Sequence, residues 1–205
     1  MKLVTPKFRG SYAHLMKPNK IGDGEPRYGI VIVLPKEKES TKTFIADLKK
    51  MMKAALEEKF TTAIPFERCK HFPLKDGDEE VDDEGNPHEE WQGCWIIHAH
   101  NSRQPGILVK DEDGTRRGVE SPEEIYSGAY YHASITAYAW KHESGGKGVS
   151  ISLSGVLKVG DGEKFSADSF DESDFDEVSE PGEKKAKRRT DDDEKPVKKK
   201  RDADF

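Results

Sequence analysis

The sequence predicts a mainly β fold: a small closed barrel of short strands with one α-helix at about residues 41–59, followed by a disordered, charged tail. Three observations predict it. About six short apolar or alternating runs read as strands, one stretch has helical spacing, and residues 166–205 hold almost nothing that could be buried. Only 33% of the 205 residues are hydrophobic and 36% are charged, so the chain is too polar to pack throughout. Beyond residue 165 there are 10 Lys or Arg and 14 Asp or Glu, with only isolated Phe and Val between them. A folded domain over 1–165 and a tail over 166–205 are therefore expected.

Each element follows from local pattern. Residues 28–34 (YGIVIVL) form an apolar, β-branched run closed by Pro35, which reads as a central strand buried on both faces. Phe44, Leu48, Met51, Met52, Ala55 and Leu56 recur at spacings of three and four, with Ser40 placed to cap the helix and lysines on its other face. Residues 75–90 (KDGDEEVDDEGNPHEE) combine turn chemistry with like-charge repulsion and read as a long exposed loop. Strands resume at 94–99 and 107–110, joined by the loop NSRQPG, and DEDGTRRG at 111–118 is a polar turn carrying Arg116 and Arg117.

Residues 125–140 carry the most information. Ile125, Ala129, Tyr131, Ala133, Ile135, Ala137 and Ala139 are small or apolar and suit a curved interior, so Tyr126, Tyr130, His132, Tyr138 and Trp140 point to the wetter face. Gly128 is placed to bend this strand. Val149, Ile151, Leu153, Leu157 and Val159 alternate with Ser150, Ser152, Ser154 and Lys158, a second long strand joined to the first across the Gly-rich turn SGGKG. Six strands and one helix in fewer than 165 residues fit an OB-type barrel best.

The formal net charge of −6 is unevenly spread. Residues 76–90 hold nine acidic and no basic side chains, whereas the rest of 1–165 holds 24 basic against 17 acidic ones. A basic body with an aromatic stripe suits single-stranded nucleic acid, whose bases stack on rings while cations follow the phosphates. The residues expected to bind DNA are Tyr126, Tyr130, Tyr138 and Trp140, with Lys7, Arg9, Arg103, Lys110, Arg116, Arg117, Lys141 and Lys158 beside them. Barrel core or sheet-face packing is the structural alternative for the rings.

Other chemistries fit less well. Two cysteines are too few for a disulfide framework, and no apolar signal segment or run of 18 apolar residues occurs, so a thiol-reduced cytosolic protein without membrane contact is expected. Cys69, His71, Cys94, His98 and His100 are metal-ligand types but lack paired knuckle spacing, and no metal or other cofactor is expected. Asp76, Asp78 and Asp82 raise a metal-dependent nuclease as a remote alternative, although consecutive carboxylates on a loop are poorly pinned for two-metal chemistry. With no GxxxxGK[ST] and no GxSxG, an enzyme is not expected. A protein-interaction adaptor on the same scaffold is the nearer alternative, and the sequence leaves a homodimer open.

The tail runs from the acidic SFDESDFDEV through KKAKRR, DDDE and VKKKR to Asp202, Asp204 and Phe205. Carboxylates beside a terminal ring imitate a short piece of single strand, suited either to the body's own cleft or to a partner's basic, hydrophobic pocket. The basic clusters within 184–201 also match a bipartite nuclear-import pattern, a match that polyampholyte tails produce by chance.

Four segments carry a family resemblance: RYGIVIVLPK at 27–36, FPLKDGDE at 72–79, IYSGAYYHASITAYAW at 125–140 and KGVSISLSGVLKVGDGEK at 147–164. Through them the chain resembles phage-encoded single-stranded DNA-binding proteins with an OB-fold core, long catalogued as a domain of unknown function. The resemblance implies sequence-tolerant binding of single strands in phage replication, recombination or repair, in the cytoplasm of an infected bacterium. It also implies an acidic tail that recruits replication proteins and competes with DNA. The basic blocks in the tail and the length of the acidic loop depart from that pattern.

Overall fold

The computed structural model describes residues 1–165, apart from 21–23, 62–63, 70–71, 83 and 144–145. Nine strands and one long helix follow in the order β1 (Leu3–Val4), β2 (Phe8–Asn19), β3 (Arg27–Pro35), α1 (Glu39–Lys59), β4 (Leu74–Asp76), β5 (Cys94–Asn101), β6 (Gly106–Lys110), β7 (Arg116–Gly118), β8 (Tyr130–Lys141) and β9 (Lys147–Gly160). The mainly β, one-helix class is as expected from the sequence. The predicted disordered tail lies outside the described residues.

Five strands close on one another. β2 pairs β3, β3 pairs β5, β5 runs parallel to β9, β9 pairs β8 over the length of a long hairpin, and β8 returns to β2 through Phe8↔Tyr131 and Arg9↔Tyr130. Such a ring leaves its five strands no free edge. β6 and β7 extend the sheet beyond β9, and β4 pairs β5 alongside.

Alternation sets the two faces of β3. Ile30, Ile32 and Leu34 join Leu15, Ile97, Tyr131, Ile135, Ile151 and Leu153 inside the ring, where α1 contributes Phe44, Leu48, Met51 and Met52. Val31 and Val33 face outward with Ile96 and are covered by Trp91 in a small second core. The strand is therefore buried on both faces and central, as its unbroken apolar run requires.

Local chemistry shifts several boundaries. α1 begins at Glu39 with Lys38 at its N-cap, so Ser40 lies inside the first turn and caps nothing. The strand expected from residue 125 begins only at Tyr130, because residues 122–124 form a 3₁₀ turn with a Ser121–Glu124 capping box and Gly128 has φ 108°. A Cβ at Gly128 would also lie 2.0 Å from the Glu163 carbonyl oxygen, so the chain crosses itself there at backbone contact.

The acidic loop is more ordered than its composition suggests. Lys36 binds Asp76 and Asp78, Asp78 accepts the Gly93 amide at 2.6 Å, Lys75 pairs with Glu80 at 2.5 Å, and Val81 bridges Pro87. Lys75 lies on β4 at the start of the segment, whereas Lys36 follows β3, 40 residues before Asp76, and is brought there by the fold.

Candidate nucleic-acid interface

The ring's outer face across β2, β3 and β5 holds a groove of about 300 Å³. Its walls include Tyr12, His14, Tyr28, Gly29, His98 and His100. Register explains why they meet: His14 is opposite Gly29, Gly29 is opposite His100, and Val31 is opposite His98. On the far side His100 pairs with Ser152, which pairs with Thr136, and the Tyr138 hydroxyl lies 3.4 Å from His100 Nε2. Gly29 thus forms a low floor between two imidazole rings.

Backbone irregularity shapes one wall. The β2–β3 register shifts between Ser11 and His14, and Tyr12 takes φ 47°, a left-handed conformation rare for an aromatic residue. The bulge leaves Tyr12 49% exposed, with its ring edge-on to Trp91 at 6.1 Å. His88, from the acidic segment, lies against the same indole at 3.8 Å.

Electrostatics divides the groove from its rim. Burial holds His98 and His100 below the ordinary histidine value, which favours their neutral forms; among the described residues His98 Nε2 is buried without a hydrogen-bond partner, which further disfavours a second proton. Arg27, on the groove wall, also lowers His100. Lys17, Lys20 and Arg103 are exposed near the same strand ends, because Asn19 pairs with Arg27 and Asn101 with Tyr28, and the Asn101 side chain accepts the Arg103 amide. A neutral, ring-lined floor below a cationic rim can take bases and phosphates respectively.

The sequence-predicted residues separate into groups. Tyr138 and Trp140 lie on the outer face of β8 next to the groove, with Trp140 Nε1 donating to Ser150 Oγ at 2.9 Å. Lys141 is exposed just beyond them, and Arg103 is on the rim. Tyr126, Tyr130, Lys7, Arg9 and Lys158 gather at the other end of β8 around residues 161–165. There Arg9 donates to the Gly128 and Glu163 carbonyls and its guanidinium lies 4.1 Å from the Phe165 ring centre. The Tyr126 hydroxyl donates to Asp161, Lys158 is buried and pairs with Asp161 at 2.6 Å, and Lys7 lies over Tyr130 at 5.0 Å.

Lys110 and Arg116 are exposed on the β6–β7 hairpin, where the neighbouring Val109 pairs with Lys158. Arg117 is held by Asp111 and Glu124, which keeps Glu124 at about 2. Asp202, Asp204, Phe205 and the basic clusters of 184–201 lie outside the described residues, as does His71. Cys69 follows a short 3₁₀ turn and Cys94 opens β5, and among the described residues no three His, Cys, Asp or Glu side chains are grouped to hold a metal ion. Asp76 and Asp78 are engaged by Lys36, whereas Asp82 accepts backbone amides from Glu84 and Asn86.

Sequence reasoning passed over Tyr12, His14, Arg27 and Gly29, and weighed His98 and His100 only as metal ligands. The shared parity of His98 and His100 on one strand was the available signal.

Two solved structures share this architecture, and a further protein is similar in sequence. The single-stranded DNA-binding protein of bacteriophage Enc34, solved in complex with ssDNA, is 30% identical with a TM-score of 0.63, covering 80% of this chain and 89% of its own. Putative protein p50 of Acyrthosiphon pisum secondary endosymbiont phage 1 is 26% identical over 173 residues, 80% of this chain and 86% of that protein. The single-stranded DNA-binding protein gp2.5 of bacteriophage T7 shares the fold, with a TM-score of 0.53 at 16% identity over 91% of this chain and 99% of its own. The family model described as the ssDNA-binding protein of Enterobacter phage Enc34 matches residues 1–185, and the chain belongs to that family.

Proposed function

We propose that this protein binds single-stranded DNA, with little dependence on sequence, in the groove across β2, β3 and β5. The observation that carries the reading is the trough formed by His14, Gly29 and His100. Neighbouring strands are about 4.8 Å apart, so the two histidine Cα atoms stand about 10 Å apart across a residue with no side chain. That gap accepts a flat base between two imidazole rings, and a glycine inside a strand suits such a close approach. Arg27, Lys17, Lys20 and Arg103 then meet the phosphates, while Tyr12 and Tyr138 offer further ring faces. Each stacked base contributes about 1–3 kcal/mol, and every base has a π-face, which accounts for tolerance of sequence. The relative solved with ssDNA supports the reading.

The protein acts by binding rather than catalysis. Residues 1–165 form the binding domain, and the tail, through Asp202, Asp204 and Phe205, recruits replication, recombination or repair proteins in the cytoplasm of an infected bacterium. Oligo-dT titration of the full chain, followed by tryptophan fluorescence at several salt concentrations, tests the binding. Quenching is expected, with log affinity falling against log salt at about 0.7 per phosphate neutralised. Equal affinity for duplex of the same length would overturn the reading.

A further inference from the structure

The hairpin end of β8–β9 carries a second basic and aromatic cluster that folding does not account for. Lys141 and Lys147 face each other directly across the two strands. Like charges in that position oppose pairing, and oppositely charged residues there would favour it. Lys59, from the last turn of α1, joins them around Phe60 in a cavity of about 370 Å³. Lys147 Nζ stands 5.1 Å from the Phe60 ring centre. Among the described residues none of the three lysines forms an ion pair. Lys59 is stabilised by the α1 dipole, but that leaves the Lys141–Lys147 repulsion in place.

Next along the same strand pair, Gly148 is opposite Trp140 and so close that a Cβ there would lie 2.4 Å from the indole. The indole therefore packs on the outer face of the hairpin beside Tyr138, while Lys141 and Lys147, one residue further along each strand, point to the other face, toward the end of α1. The run Tyr138, Trp140, Lys141 spans about 10 Å at strand rise.

From this placement we infer that Lys59, Lys141 and Lys147 form a phosphate-binding cradle, with Phe60 as its ring face, that takes the single strand as it leaves the groove past Trp140 and rounds the end of the hairpin. An anion among the three lysines removes the cross-strand repulsion, so the cradle is completed by its ligand. This rests on the groove being the DNA site, and it assigns the direction in which a longer strand continues: over the β8–β9 hairpin toward the end of α1.

The test compares full-length protein with the Lys59→Gln/Lys141→Gln/Lys147→Gln variant, using labelled oligo-dT of about 4 and about 16 nucleotides, the ends of the usual site-size range for one OB barrel. Binding of the short oligomer should change less than twofold. For the long one the salt slope should fall by about 2, from roughly 0.7 for each of three phosphates lost. The melting temperature of the free variant should stay level or rise, since a repulsion has been removed. An unchanged slope on the long oligomer overturns the cradle. So does an equal loss on both lengths, which would mean a diffuse field rather than a downstream contact. Gly29→Val, run in parallel, separates this from failure of the groove: if that variant binds the short oligomer normally, the groove reading fails whatever the lysines do.

Discussion

Filling the trough at Gly29 is the sharpest perturbation of the proposed site. A Cβ at this position would meet the Ala99 carbonyl oxygen at 3.1 Å and His100 Cβ at 3.4 Å, so the neighbours must give by only a few tenths of an ångström. The site lies in a regular strand, where a β-branched residue is favoured over glycine within a scale of about 1 kcal/mol. Gly29→Val should therefore leave stability within about 1 kcal/mol of wild type while its two methyl groups occupy the space between His14 and His100. If one base stacks there, its loss costs about 1–3 kcal/mol, or about 5-fold to about 150-fold in dissociation constant. Gly29→Ala, with one methyl, should fall between. Fluorescence anisotropy with labelled oligo-dT measures the affinity, and thermal denaturation checks the fold. Gly29→Val binding within twofold of wild type at an unchanged melting temperature would refute the argument, because a filled trough cannot hold a base.

Three other perturbations probe the parts that hold the groove in place. Trp91→Ala strips the cover from Val31, Val33 and Ile96 and should cost about 3–5 kcal/mol in urea or thermal unfolding. Gly128→Ala should destabilise strongly in the same assays, since both φ 108° and the 2.0 Å approach to Glu163 forbid a side chain. His98 and His100 are held below their ordinary value by burial, so the unfolded chain takes up protons first and stability, fully present above about pH 6.5, declines as pH falls below it. The His98→Gln/His100→Gln variant should show a flatter stability curve between about pH 6.5 and 5, read by denaturant unfolding at each pH.

How legible the fold was depends on how each strand earns its burial. β3 could be read because an unbroken apolar run leaves one assignment, but β9 only as far as Leu153: the ladder with β8 then shifts register, so Val156 and Lys158 are buried where the alternation expected Leu157 and Val159. β2 could not: over FRGSYAHLMKPN the bulge at Tyr12 changes parity in mid-strand, so no single alternation runs its length. That omission hid half the groove, since Tyr12 and His14 lie on this strand. β7 is three residues long and gains its place from β6 rather than from any pattern of its own. The acidic segment read as a loop because Lys36, which engages Asp76 and Asp78, lies 40 residues before it, and no local pattern shows that Trp91 just past its end is buried.

The aromatic stripe on β8 shows where parity stops being enough. Tyr130 and Tyr138 do share the outer face, yet eight residues at strand rise place them about 26 Å apart, more than one binding groove spans. At one end Tyr126, Arg9 and Lys158 serve the chain itself: Asp161 takes Lys158 and the Tyr126 hydroxyl, and Phe165 lies against Arg9. At the other end Tyr138 faces His100, and the nearby Arg27 and Arg103 have no ion-pair partner among the described residues. Folding has thus engaged one set of cations and left another exposed. Counting basic residues near aromatic ones cannot tell the sets apart, because the difference lies in what each cation meets in the fold: Asp161 for Lys158, Glu124 for Arg117, and for Arg9 the Glu163 backbone carbonyl, 154 residues away. The exposed set surrounds the groove and the β8–β9 hairpin, and a polyanion that binds there meets charges the fold has not already used.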